Sequence, residues 1–218
     1  MQYLPPVDRQ AKQQFEQPAV KKEPKPLDLK SARNCYYGKK AFTYDANREN
    51  DEKWLKELYA VEKILKALGG GRVLDIPCGT GRFFEIYKKL GMDFLGMDVS
   101  EDMMLQARAK YPEANVMFGD IAHIPLADNA VDHSVCVRLL EKMPEAEMAA
   151  VIKELARVSS KRIICSLVTG DHVERRNRAW MHRLDAFKEA VASAGFAILG
   201  AEEIREPEMY MWTLGSLS

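Results

Sequence analysis

The chain has 218 residues, the length of one ordinary domain with a segment to spare. Hydrophobic residues make up 47% of it, enough for a full core, so a wholly disordered chain is excluded. Lys and Arg number 32 against 32 Asp and Glu, and this zero formal net charge disfavours nucleic acid as a partner.

Residues 1 to 33 are rich in Pro, Lys, Gln and Glu and show almost no apolar periodicity, as in KKEPKPLDLK. Such a stretch cannot bury enough surface to order itself and is expected to be a disordered tail, leaving residues 34 to 218 as the domain. The segment from Asn34 to Asn50 is aromatic, with Tyr36, Tyr37, Phe42 and Tyr44. Two readings apply: the rings pack beneath the first helix, which is favoured, or they form a lid over a site. Asp51 to Leu68 carries Trp54, Leu55, Leu58, Val61, Ile64, Leu65 and Leu68 at helical spacing, and Gly69-Gly70-Gly71 ends that helix.

Arg72 to Phe84, RVLDIPCGTGRFF, organises the rest. Val73 to Ile76 predicts a short buried strand, Gly79 and Gly81 a tight loop, and Arg82 to Leu90 a helix. This strand, glycine turn and helix cradle nucleotides in doubly wound folds, because glycines let the backbone approach a ligand and the helix start offers free N–H groups. A dinucleotide fits poorly. The third glycine of G-x-G-x-x-G is Phe84 here, and Asp75 beside the turn would repel a pyrophosphate. A carboxylate at that place suits a cationic ligand. S-adenosylmethionine, with an ammonium, a sulfonium and no phosphate, answers this charge pattern.

Asp93 to Asp98 predicts a second strand ending on an acid 23 positions after Asp75, where nucleotide-binding α/β folds hold ribose hydroxyls. Ser100 is a helix N-cap, with Met103 and Met104 on the following helix. Asn115 to Asp120 is a third strand with a third acid at its end. Ligands bind at strand tips in open α/β sheets, so three acids there point to one site. Val131 to Arg138 is the fourth strand, Glu145 to Val158 a helix, Ser159-Ser160-Lys161 a turn, and Arg162 to Val168 an apolar fifth strand buried on both faces. Thr169 to Arg183 is basic, with His172, Arg175, Arg176, Arg178, His182 and Arg183. It is either a solvated loop leading into a helix or an anion-binding rim. Leu184 to Ala194 is a helix. Ala197 to Arg205 and Met209 to Leu214 are strands whose three-residue link demands a hairpin.

VLDIPCGTGRF resembles motif I of the class I S-adenosylmethionine-dependent methyltransferases, D-x-G-C-G-T-G, with Pro77 where Gly is usual. The resemblance covers roughly residues 50 to 215 and is nearest the small-molecule branch called type 11 or 25. NVMFGD and IPLADNAVD continue it. It implies an α/β, Rossmann-like seven-stranded sheet, mostly parallel with an antiparallel last strand, order 3-2-1-4-5-7-6, and helices on both faces. It also implies S-adenosylmethionine as cofactor, with contacts from Asp75, Cys78, Gly79, Thr80, Gly81, Asp98, Val99, Met103, Asp120, Ile121 and Arg138. In that pattern Asp98 accepts from the ribose hydroxyls and Asp120 from the adenine amino group, with Val99 beside the adenosine.

LLEKMP departs from the family's Leu-His-His-Leu-Pro, so Glu141 and Lys142 stand where histidines can face the substrate. Glu141 is then the first candidate for a general base, with His133 and His172 behind it, and the catalytic residues stay unassigned. Three functions compete: a small-molecule methyltransferase, which is favoured, an RNA methyltransferase using Arg175, Arg176 and Arg178, and a non-catalytic cofactor-binding protein. Cys35, Cys78, Cys136 and Cys165 form no C-x-x-C pair and signal neither zinc nor a disulfide framework. The histidines show no metal-ligand spacing. No secretory segment or run of 18 apolar residues occurs, so a cytoplasmic protein without a membrane span is expected.

Overall fold

In a computed structural model of the chain, residues 36–48, 51–176, 179–205 and 209–217 are described. The expected tail, residues 1–33, lies outside them. A short helix α1 (Lys39–Phe42) precedes α2 (Glu52–Leu68), which Asp51 caps by accepting from the Lys53 amide at 2.9 Å and which ends at Gly69 with φ 76°. Then follow β1 (Arg72–Asp75), α3 (Phe84–Lys89), β2 (Asp93–Asp98), α4 (Glu101–Lys110), β3 (Asn115–Phe118) and β4 (Val131–Cys136). A 3-10 turn at Leu140–Lys142 leads to α5 (Glu145–Val158), β5 (Ser159–Gly170), β6 (Glu174–Arg176), β7 (Ala179–Arg183), α6 (Leu184–Ser193), β8 (Phe196–Arg205) and β9 (Met209–Ser216).

The sheet runs β3-β2-β1-β4-β5 in parallel, then β9 antiparallel to β5, and β8 pairs with β9. With β8 and β9 as sixth and seventh strands, this is the expected order. Adjacent strand residues point to opposite faces, and each face has its own core. Leu74, Ile163 and Trp212 meet α5 and α6 through Ile152, Leu155, Phe187 and Val191. Val73, Ile164 and Met211 meet α2, α3 and α4 through Val61, Phe84, Tyr87 and Met104.

Three expectations need correction. Ser159-Ser160-Lys161 is no turn. β5 starts at Ser159, because Ser159 Oγ lies 2.5 Å from Ser134 Oγ and Ser160 Oγ donates to the Val131 carbonyl at 3.2 Å, drawing the chain straight onto β4. The basic stretch is not a loop. It forms the β6–β7 hairpin, whose second strand pairs with the end of β5 at Thr169↔His182. On α2, Leu55 faces out at 46% exposure while Glu57 is buried, so the inward face is rotated from the apolar pattern. The link 206–208 lies outside the described residues, and the strands that it joins pair antiparallel.

Candidate active site

The parallel strands β1 to β4 all deliver their chain ends to one edge of the sheet, and a cavity opens there. It encloses about 1000 Å³ of empty space, its mouth included. The loop after β1 forms its floor. Cys78 N–H donates to the Met97 carbonyl at 2.8 Å and Gly81 N–H to the Cys78 carbonyl at 3.0 Å. Gly79, at φ 56°, supplies the left-handed step that L side chains rarely adopt. A Cβ there would also lie 3.2 Å from Met103 Cε, within the cradle.

Asp98 closes β2 and holds this loop in shape. Its Oδ2 accepts from Gly79 N–H and its Oδ1 from Ser100 N–H, both at 2.8 Å. Burial pushes its carboxyl above the ordinary range, and the amides of Ser100 and Gly79 oppose that push. A carboxylate has about four acceptor positions, so about two remain for hydroxyls. Asp120, after β3, also lies on the wall, with Oδ1 accepting from Ala122 N–H at 3.0 Å.

Of the residues expected to touch a ligand, Cys78, Gly79, Thr80, Asp98, Val99, Met103, Asp120, Ile121 and Arg138 line the cavity. Asp75 and Gly81 do not. Asp75 is 1% exposed and lies among Tyr87, Cys78 and Asp98, where burial holds its carboxyl well above the usual range. Gly81 instead packs on the Phe84 ring, 2.8 Å from where its Cβ would stand.

Contrary to the favoured packing reading, two rings of the aromatic segment face the cavity. Tyr36 and Tyr44 both line the cavity, edge to face at 4.9 Å. Thr80 Oγ1 donates to Asp45 Oδ1 at 2.7 Å, Lys110 Nζ reaches Asp45 Oδ2 at 2.5 Å, and Ser100 Oγ donates to the Tyr36 carbonyl at 2.6 Å. The Arg48 guanidinium lies 3.9 Å from the Tyr44 ring centroid and holds that ring down.

A charge cluster at the β4 end escaped the sequence reading. Arg82 and Arg138 line the cavity together with Lys142. Arg82 donates to the buried Glu57 at 2.7 Å and to the Trp54 carbonyl. Arg138 stands 3.5 Å from Glu57 and 3.6 Å from Glu141, and Lys142 stands 3.8 Å from Glu141. Arg138 holds φ 67°, a conformation that costs a non-glycine residue about 1–3 kcal/mol. Its N–H donates to Ser166 Oγ at 2.7 Å, which keeps it there. One sequence signal could have pointed to the cluster: the paired charges of LLEKMP following Arg138.

None of the three base candidates is on the wall. Glu141 is 1% exposed, and neither carboxyl oxygen has a hydrogen-bond partner. His133 is buried against the Gly70 carbonyl at 3.1 Å, and His172 pairs with Asp171 at the surface. His182 and Arg183 also form no rim. His182 Nε2 lies 3.1 Å from the Leu140 carbonyl, and Arg183 reaches Glu145 at 3.1 Å. No helix among the described residues is long and apolar enough to cross a membrane.

Residues 73–162 match the family model described as methyltransferase domain. A malonyl-(acyl-carrier protein) O-methyltransferase of Pectobacterium atrosepticum is 29% identical over 154 residues, which is 68% of this chain and 57% of that protein. A demethylmenaquinone methyltransferase of Renibacterium salmoninarum is 32% identical over 93 residues, 43% of this chain and 38% of that one. The chain thus spans about two to three fifths of the length of these curated relatives. The magnesium protoporphyrin IX methyltransferase of Synechocystis, solved with bound S-adenosylhomocysteine, shares the fold: TM-score 0.63, 22% identity, 75% of this chain and 84% of that one. The matched segment thus resembles a methyltransferase domain, and the strand order and glycine loop give the chain the Rossmann-like fold of class I S-adenosylmethionine-dependent methyltransferases.

Proposed function

We propose that the protein transfers the methyl group of S-adenosylmethionine to a small organic acceptor. The observation that carries this is Asp98, seated on the cavity wall and anchored through both oxygens to the glycine loop and the α4 start. Its remaining acceptor positions suit the two hydroxyls of a ribose. The wall fits the rest of that cofactor: Asp120 and Ile121 for adenine, Val99 and Met103 for the adenosine body, and Cys78, Gly79 and Thr80 for the loop contacts.

When bound, the cofactor supplies an activated methyl on sulfur. The protein's part is to orient and to exclude water. Tyr36 and Tyr44 cover the cavity, and Asp45 ties them to Thr80 and Lys110. Arg138 stands after β4, between the cofactor positions and the charge cluster. The enclosed cavity, zero net charge and relatives named for small acceptors all favour a small molecule over RNA.

Calorimetry tests the reading. The expected result is binding of S-adenosylmethionine or S-adenosylhomocysteine and no binding of NAD. Binding of NAD alone would sink it.

A further inference from the structure

The β4 end of the cavity is cationic. Arg82, Arg138 and Lys142 line it, whereas their partners Glu57 and Glu141 are sealed behind it at 3% and 1% exposure. Three cations against two carboxylates leave one positive charge in this contact group. Arg82 also keeps a buried Nε without a hydrogen-bond partner, on a side chain only 7% exposed. An anion in the cavity would balance the unmatched charge, and a guanidinium such as that of Arg138 matches a carboxylate in a two-pronged fashion.

The same end offers neither a histidine nor a carboxylate as a base, and its Lys142 is held in a charge contact with Glu141, 3.8 Å away. Among the described residues that line the cavity there is no histidine, and the carboxylates are Asp98 and Asp120. Those stand at the tips of β2 and β3, two and three strands from β4 and therefore about 10 and 14 Å across the sheet. An alcohol or amide acceptor needs its proton removed as the new bond forms. A carboxylate arrives without one.

Resting on the methyl-transfer reading above, we infer that the acceptor is a carboxylate held by Arg138 and Lys142 and that the product is a methyl ester. A carboxylate oxygen attacks the methyl carbon. The new O–C bond forms as the C–S bond breaks, and the bonding pair stays on sulfur. An anion and a sulfonium become a neutral ester and a neutral sulfide, and no proton moves. The residual positive charge lowers the energy of the bound anion, orients it, and leaves the sealed glutamates to keep the cations in place.

The test uses the full chain and methyl-labelled S-adenosylmethionine. It is incubated with a fractionated cell extract and with carboxylic acids, each paired with its amide and the matching alcohol or phenol. The expected label appears on carboxylic acids and is released as methanol by mild alkali. Alkali-stable label, or no label although S-adenosylhomocysteine binds, overturns the inference while sparing cofactor binding. Absence of any cofactor binding removes the methyl-transfer reading itself. Lys142→Met, a change at a wall residue outside the expected cofactor contacts, separates the remaining possibility, that this cation holds the cofactor's own carboxylate. The expected result for Lys142→Met is a KM for the carboxylate raised at least tenfold, with affinities for S-adenosylhomocysteine and methylthioadenosine within twofold of the parent, and partial rescue by Lys142→Arg. A tenfold loss for S-adenosylhomocysteine with none for methylthioadenosine overturns the inference.

Discussion

The amide of Gly79 donates to the Asp98 carboxylate across 2.8 Å, joining the tip of β2 to the glycine loop that follows β1. One side chain thus shapes the floor of the cavity and offers its spare lone pairs to a ligand. Asp98→Asn keeps the volume but weakens charge-assisted hydrogen bonds worth about 1.5–3 kcal/mol each. Affinity for S-adenosylmethionine, S-adenosylhomocysteine and adenosine should fall alike, at least tenfold, in calorimetry. Intact adenosine affinity would refute the ribose role.

Asp75 behaves differently, because it lies off the cavity wall. Burial raises its carboxyl well above the usual range, with the Tyr87 hydroxyl opposing. The folded state therefore binds a proton that the unfolded chain releases above about pH 4. Stability falls as pH rises from there through the folded pKa. Asp75→Asn removes this slope: between pH 5 and pH 8 its melting temperature should fall less than that of the parent. Parallel curves would show that Asp75 is ionised in the fold.

Glu57 and Arg82 form a buried ion pair, 4% and 7% exposed, between α2 and the loop after β1. Removing one partner strands the other charge. Glu57→Ala should lower unfolding free energy by about 3–5 kcal/mol in denaturant titration. The double variant Glu57→Ala with Arg82→Met should be more stable than the single one. A double variant as unstable as the sum would argue against coupling.

Asp45 fastens the lid through Thr80 and Lys110. These bonds are partly exposed, so each adds about 0.5–1 kcal/mol. Asp45→Ala should speed release of S-adenosylhomocysteine about three- to tenfold in stopped flow and change melting by less than about 4 °C. An unchanged release rate would mean that the lid does not gate the cavity.

Residues 1–30 lack core-forming periodicity. Their deletion should leave the melting temperature nearly unchanged. A fall of more than about 5 °C would show that they pack on the domain.

Strand and helix identities were legible because their signals are local. Asp93–Asp98 and Glu145–Val158 begin and end where the apolar runs, acids and caps placed them, and Ser100 caps α4 as read. The order of acids along the chain also placed Asp98 and Asp120 at neighbouring strand tips. Local pattern could not say which acids face the cavity. Asp75 ends β1 as Asp98 ends β2, yet only Asp98 is on the wall, because the direction of a tip side chain depends on what packs around it. The β6–β7 hairpin was missed since its pairing with the end of β5 follows from contact between strands, not from composition. The cation cluster was the least legible feature. Glu57, Arg82 and Arg138 come from α2, the loop after β1 and the chain after β4. Only the folded sheet, pairing β4 with β1 and laying α2 across one face, brings Glu57 within 4 Å of both arginines.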